Sequence, residues 1–329
     1  GFPPGRLSSG ETTRNTISGR LTRPAAVPPG FPAGAPFPLA IPNRLSLSTI
    51  SLNWAPYSVS DLNFSQIVGS HDILLVTLDT LRFDVAQQEY ENGRLPHLSP
   101  YLGASGWEGR HSPGSFTFAA HQAFFAGFLP TPCEPEHHRS SRLFAARFEG
   151  SETTTSTTWV YEQANLVSAL GARGYHTICI GGVGFFNLKN ELSRVLPGLF
   201  SEAHWEPEFG VTDPESTRNQ VEHALKCLNA VSREQNVFLF LNVSALHQPN
   251  NIFSDPRQPD DAASQAAALR YAEGHVGRLI QAMGERKPVF VILCSDHGTA
   301  YGEDGYRGHR LAHPVVWDVP YRHFVVEPI

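Results

Sequence analysis

The 329-residue chain is short of the features that mark several large protein classes. No stretch approaches the roughly 20 consecutive apolar residues of a membrane-spanning helix. The formal net charge is −6, with 25 Lys and Arg against 31 Asp and Glu, so there is no basic footprint for nucleic acid. Only four cysteines occur, Cys133, Cys179, Cys227 and Cys294. They are widely spaced, and Cys179 and Cys294 sit in apolar runs, which excludes a disulfide-framed mini-domain. No internal repeat is visible. No cleavable leader is in view either, which leads us to expect a cytoplasmic protein, although a start at Gly1 leaves room for an upstream segment.

What is present is unevenly distributed. Nine of the first 42 residues are proline, and Gly and Ser are dense around them. Such a composition favours extended or polyproline backbone over a packed core. We expect an arm over residues 1–65 that wraps the domain or mediates homo-oligomerisation, followed by one catalytic domain over 66–329. A second polar tract, Ser151 to Thr158, reads as a linker.

From residue 66 onward, apolar runs alternate with helical patterns. Asp72–Leu78, His176–Ile180, Val237–Val243 and Pro288–Cys294 are strands. Ala119–Phe125, Glu162–Arg173, Glu215–Arg233 and Ala262–Met283 are helices. Strands separated by helices predict an α/β fold with a mainly parallel central sheet and helices on both faces. Open sheets of this kind place ligands at the carboxyl edge of the strands, and three strands end in chemistry-bearing residues. Asp79 closes the first, and His247 follows the one that ends in Val243. Ser295-Asp296-His297-Gly298 closes the last, with His309 twelve residues beyond His297. Carboxylates and imidazoles together are the donors that divalent metals take. Thr117 stands at the start of the Ala119–Phe125 helix, where it is either an N-cap or a nucleophile facing a helix N-terminus. Asp84 reads as structural.

Asp79, Thr117 ten residues before Gly127, and Ser295-Asp296-His297-Gly298 with His309 resemble the alkaline phosphatase/sulfatase superfamily. The segment from Thr117 to Pro130 is most similar to the nucleotide pyrophosphatase/phosphodiesterases. The segment from Ser295 to His309, with Gly302-Glu303-Asp304-Gly305, is similar to the phosphoethanolamine transferases. The resemblance spans about residues 70 to 326. It implies an alkaline phosphatase-like fold and one or two divalent ions, zinc before manganese or magnesium. Asp79, Thr117, Asp296 and His297 would hold one ion, and His247 and His309, with His313 completing the site or binding substrate, would hold the second. It also implies a small-molecule phosphate ester, diester or monoester, attacked by Thr117 through a phospho-threonine intermediate.

Two departures stand out. Val243 occupies a position where the phosphodiesterases carry a metal-binding Asp, and Ala120 replaces an Asn that holds the phosphoryl oxygen. His121 or Arg82 is expected to take over that second role. Sulfatases use a Cys or Ser oxidised to formylglycine at the nucleophile position, and Thr cannot form that aldehyde, so phosphoryl chemistry is favoured over sulfate-ester hydrolysis. The rival reading is a scaffold that keeps the fold without catalysis, its Pro-rich arm being the active part. The remaining histidines, His204 and His223 among them, lack motif context and are set aside.

Overall fold

The computed structural model describes residues 63–127, 143–145, 158–160 and 165–328. The Pro-rich arm up to residue 62, Cys133, and residues 151–157 of the polar tract lie outside the described residues. Seven strands form the main sheet: β1 (Asp72–Leu78), β2 (Glu108–His111), β3 (His176–Ile180), β4 (Glu202–His204), β5 (Val237–Val243), β6 (Val289–Cys294) and β7 (Asp318–Val326). Their spatial order is β2-β7-β6-β1-β5-β3-β4. The five strands from β6 to β4 pair in parallel, whereas β7 runs antiparallel to both β6 and β2.

The continuous apolar run of β1 follows from burial on both sides. All seven residues are buried. Leu74, Val76 and Leu78 enter one core, and Ile73 and Leu75 the other, as the two-residue period of a strand requires. The first core is closed by helices α1 (Phe83–Glu91), α4 (Ser216–Ala230) and α5 (Ala262–Arg286). The second is closed by α2 (Thr117–Ala126) and α3 (Leu166–Ala172), with Phe186 and Phe200. α5 begins at a capping box in which Asp261 accepts from the Ser264 backbone and Ser264 accepts in return.

The parallel sheet with helices on both faces is the predicted architecture. β2, β4 and β7 were not anticipated. β7 carries Pro320, Arg322 and His323 between its apolar residues, a composition that hides a strand, since Pro has no N–H to give the ladder. Because β1, β5 and β6 are parallel neighbours, their carboxyl ends open on one edge of the sheet. That edge carries Asp79, His247 and the Asp296-His297 pair.

Candidate metal centre and nucleophile

Asp79 leaves β1 with its backbone N–H bound to the Val243 carbonyl of β5, 3.2 Å away. The next residue, Thr80, sits at φ 65°, a left-handed conformation unusual for a β-branched side chain. It is held there from two sides. Its N–H donates to Asp296 Oδ1 (3.3 Å), and its hydroxyl donates to the Leu246 carbonyl (2.9 Å). The tight turn therefore ties together the loops that follow β1, β5 and β6. Gly298 is dictated by space as well, because a Cβ there would lie 2.0 Å from the Val315 carbonyl oxygen.

Asp79, Asp296 and His297 are fully buried, and one donor atom from each lies within 4.8 Å of the others. His297 Nε2 is 3.5 Å from Asp296 Oδ2 and 4.0 Å from Asp79 Oδ1. These two carboxylate oxygens are buried without a hydrogen-bond partner. Two such orphans facing one imidazole nitrogen are costly unless a cation meets them. Burial pushes the Asp79 carboxyl up to about 6, with the Asp296 charge adding to the effect, and burial pushes Asp296 up to about 7. The cluster fits a divalent ion on chemical grounds, because an added positive charge is what allows both carboxylates to ionise together. His297 Nδ1 lies 2.8 Å from the Gly298 carbonyl, so the proton sits on that nitrogen and the Nε2 lone pair faces the cluster.

Thr117 joins this group. Its Oγ1 lies 3.3 Å from His297 Nε2 and 3.4 Å from Asp79 Oδ2. It is the first residue of α2 and not its cap; the cap position is Phe116, which makes no side-chain cap bond. The hydroxyl is therefore left to the carboxylate and imidazole, beside the free N–H groups of the helix start. α2 ends at Gly127 in the left-handed conformation, φ 74°, as the sequence indicates.

The structure also brings the second pair close. The His309 ring lies 4.6 Å from that of His297 and 5.5 Å from that of His247, centroid to centroid. His247 Nδ1 is 2.7 Å from the Gln248 carbonyl, which leaves its Nε2 available. His309 Nδ1 is buried without a partner. Burial and the neighbouring His297 lower the His309 ring to about 3, so it stays neutral with a lone pair to offer.

Three expected residues are placed elsewhere. His313 caps the short helix Pro314–Trp317: its Nδ1 accepts from Val315 N (3.2 Å), and its Nε2 is 3.2 Å from Asp304 Oδ2. With both nitrogens occupied it is not a metal ligand in this arrangement. Arg82 is committed to Asp84 (2.6 Å) and to Glu303, a pairing that anchors the Gly302–Gly305 turn. His121 lies on the buried face of α2, fully buried, with its Nδ1 3.7 Å from Asp296 Oδ2. Its Nδ1 meets the Thr117 carbonyl at 2.7 Å, its Nε2 meets Thr77 Oγ1 at 3.2 Å, and Phe124, Phe186 and Phe240 pack edge-on around it. Burial lowers it to about 3, so it is neutral and supports the nucleophile loop from below.

Two residues were missed. Asn242 Nδ2 donates to Asp79 Oδ2 (2.9 Å) and to Thr77 Oγ1 (3.2 Å), and its Oδ1 accepts from Val183 N (3.0 Å). A buried amide one residue before the end of an apolar strand was the available signal. Arg310, at φ 70°, is exposed, with its guanidinium 5.0 Å from the Phe116 ring centre. Its charge helps hold His297 and His309 neutral. It sits directly after a predicted ligand, and only its placement beside Phe116 marks it.

The family profile described as Sulfatase matches residues 71–323, which includes every residue of this cluster. The chain belongs to the sulfatase family. Solved structures agree on the fold. The C-terminal periplasmic domain of phosphoethanolamine transferase EptC from Campylobacter jejuni matches with a TM-score of 0.51 at 16% identity, over 78% of this chain and 79% of that one. The C-terminal periplasmic domain of EcEptC from Escherichia coli in complex with Zn matches with a TM-score of 0.53 at 12% identity, over 78% and 73%. The lipoteichoic acid synthase LtaP from Listeria monocytogenes matches with a TM-score of 0.50 at 15% identity, over 80% and 66%. Comparison with curated proteins finds no match. The mixed α/β sheet is thus that of the alkaline phosphatase-like fold. The expectation of a cytoplasmic protein is overturned by these neighbours, since the two EptC structures are periplasmic domains. It rested on the lack of a visible leader, from which nothing follows. Among the described residues no helix is long and apolar enough to cross a membrane.

Proposed function

We propose that the chain is a metal-dependent phosphoesterase or phosphotransferase acting on a small phosphate ester through Thr117. The observation that carries this reading is the Thr117 hydroxyl, uncapped at the start of α2 and 3.3–3.4 Å from His297 Nε2 and Asp79 Oδ2. Asp79, Asp296 and His297 would hold one divalent ion, and His247 and His309 a second, with zinc the best match to this donor set. Such an ion supplies positive charge that lowers the hydroxyl pKa and stabilises non-bridging oxygens.

Thr117 Oγ1 then gives up its proton and attacks phosphorus in line, so that the bond to the leaving alkoxide breaks as the Thr–O–P bond forms. The leaving oxygen takes a proton, and in a second displacement that breaks the Thr–O–P bond and restores the Thr117 hydroxyl, water takes the phosphoryl group as the free phosphate or an acceptor alcohol takes it as a new phosphate ester. Arg310, an exposed cation against Phe116 and next to His309 in the chain, would be the group to meet a substrate phosphate oxygen. Sulfate esters are disfavoured because Thr117 cannot supply a formylglycine aldehyde.

The test is turnover of phosphomonoesters, phosphodiesters and a sulfate ester by wild type, Thr117→Ala and Thr117→Ser, with mass spectrometry for a phosphorylated Thr117. Thr117→Ala is expected to lose several orders of magnitude in kcat and Thr117→Ser to keep partial activity. Undiminished turnover in Thr117→Ala overturns the nucleophile assignment, and a preference for the sulfate ester overturns the substrate class.

A further inference from the structure

The edge strand β4 is three residues long and pairs only with β3. Glu202 and His204, two apart on β4, point to the same side, which is the side that α4 covers. His223 and Cys227, four apart on α4, share one helix face. The two faces meet. The His204 and His223 ring centres are 4.4 Å apart. His204 Nε2 is 3.0 Å from Glu202 Oε1 and 3.5 Å from Cys227 Sγ. One donor atom each from His204, His223 and Cys227 lies within 4.8 Å of the other two. The donor–donor edges of a tetrahedral zinc site are about 3.3–3.8 Å, as follows from bonds of about 2.0–2.3 Å; the His204–Cys227 pair at 3.5 Å already has that spacing, and His223 would close the rest of the distance on binding.

We propose that His204, His223 and Cys227 hold zinc or a similar borderline-soft divalent ion, separate from the centre around Asp296, and that Glu202, 3.0 Å from His204 Nε2 but outside that cluster of three, swings in as the fourth donor on binding. The set contains a thiolate, two imidazoles and a carboxylate, the mixture that selects zinc over magnesium or calcium. The other Glu202 oxygen is 3.0 Å from His176 Nε2, an outer contact of the kind that orients a ligating carboxylate. Burial raises the Glu202 carboxyl, but hydrogen bonds with His204, His176 and Cys227 outweigh it, so the charge is in place. Burial and the Glu202 charge push the Cys227 thiol up to about 12 without an ion; binding would release its proton to solvent. The role is structural, stapling β4 to α4. One turn before His223 on α4, Gln220 Nε2 donates to the Asn242 carbonyl (2.6 Å), so the same helix supports the residue that holds Asp79.

The test is metal content by mass spectrometry and the absorption of the cobalt-loaded full chain, for wild type, Cys227→Ser, His223→Gln and Asp296→Asn. The donors assigned to the Asp296 centre are oxygen or nitrogen, so a thiolate-to-cobalt charge-transfer band that disappears in Cys227→Ser reports on Cys227. Wild type and Asp296→Asn are expected to show the band. Cys227→Ser is expected to lose the band and one equivalent of metal, and His223→Gln to bind that ion at least tenfold more weakly. Absence of the band from wild type, or its survival in Cys227→Ser, overturns the proposal. If Cys227→Ser does not fold, the His223→Gln titration decides: unchanged affinity overturns it.

Discussion

Asp79 and Asp296 are two carboxyl groups buried side by side, each with an oxygen that has no hydrogen-bond partner. Their pKa values are raised to about 6 and about 7, above the roughly 4 of an unfolded carboxyl. Without metal, the folded chain therefore holds these protons more tightly than the unfolded chain does. The resulting stability is complete below about pH 4 and is lost as pH rises through the 6 to 7 range. A divalent cation replaces the protons and reverses that loss. In thermal melts of chelated protein, the rise in Tm on adding zinc should grow as pH is raised from 5 to about 8. In Asp296→Asn most of that pH dependence should disappear. An equal zinc effect at both ends of the range would mean that these carboxylates do not bind the ion. At this scale the sequence was informative where a residue ended a buried strand, as with Asp79, Asp296 and His297. It did not show that His313, Arg82 and His121 are engaged by Asp304, by Asp84 and Glu303, and by Thr117 and Thr77, because spacing along a chain does not say which neighbour a side chain turns to. It was silent on His204 and His223, which lie on a strand and a helix and meet only in the fold.

Among the elements, the apolar strands β1, β5 and β6 and the long helix α5 were legible, because two buried faces or a full amphipathic repeat leave a continuous pattern. β7 was hidden by its proline and charges, and β2 by the exposure of three of its four residues. The turn after β3 shows how elements act on the site from a distance. A Cβ on Gly182 would lie 2.2 Å from the Asn242 carbonyl oxygen and 2.9 Å from its side-chain oxygen. Gly182→Ala must therefore push Asn242 away, and with it the hydrogen bond to Asp79. Its kcat should fall at least tenfold, by the standard that a 1 Å displacement can cost about 100-fold. The variant should also melt at a lower temperature. Wild-type kcat in a folded Gly182→Ala protein would show that Asn242 does not position Asp79.

In the whole molecule, the two ends of β1 are specialised differently. The strand has seven residues from Asp72 to Leu78, so its ends are about 20 Å apart at roughly 3.3 Å per step. At the far end, the buried Asp72 pairs with Arg286 and accepts from Val237 N at 2.8 Å, which joins β1, β5 and the last turn of α5. Removing one partner of a buried pair strands the other charge. Asp72→Ala should cost about 3–5 kcal/mol of unfolding free energy in denaturant. Activity per folded molecule should be unchanged, because no metal-centre side chain is touched. A loss in kcat larger than the folded fraction explains would show that the two ends of the strand communicate.

The antiparallel β7 has a bearing on the order in which the molecule is completed during synthesis. It is an interior strand, seated between β2 and β6, and its Pro320 carbonyl receives the Ser295 N–H immediately before Asp296. A ribosome delivers β6 and the Asp296-His297 pair before it delivers residues 318–326. Until those residues arrive, the strand that presents the ligands has an open flank, and the loop it carries lacks its fastening. Pairing across β2 and β7 joins residues more than 200 positions apart, the long-range contact that folds slowly. The nascent chain would thus hold a ready nucleophile helix beside an unfinished cation site, and reactivity would switch on only when the final strand closes the sheet.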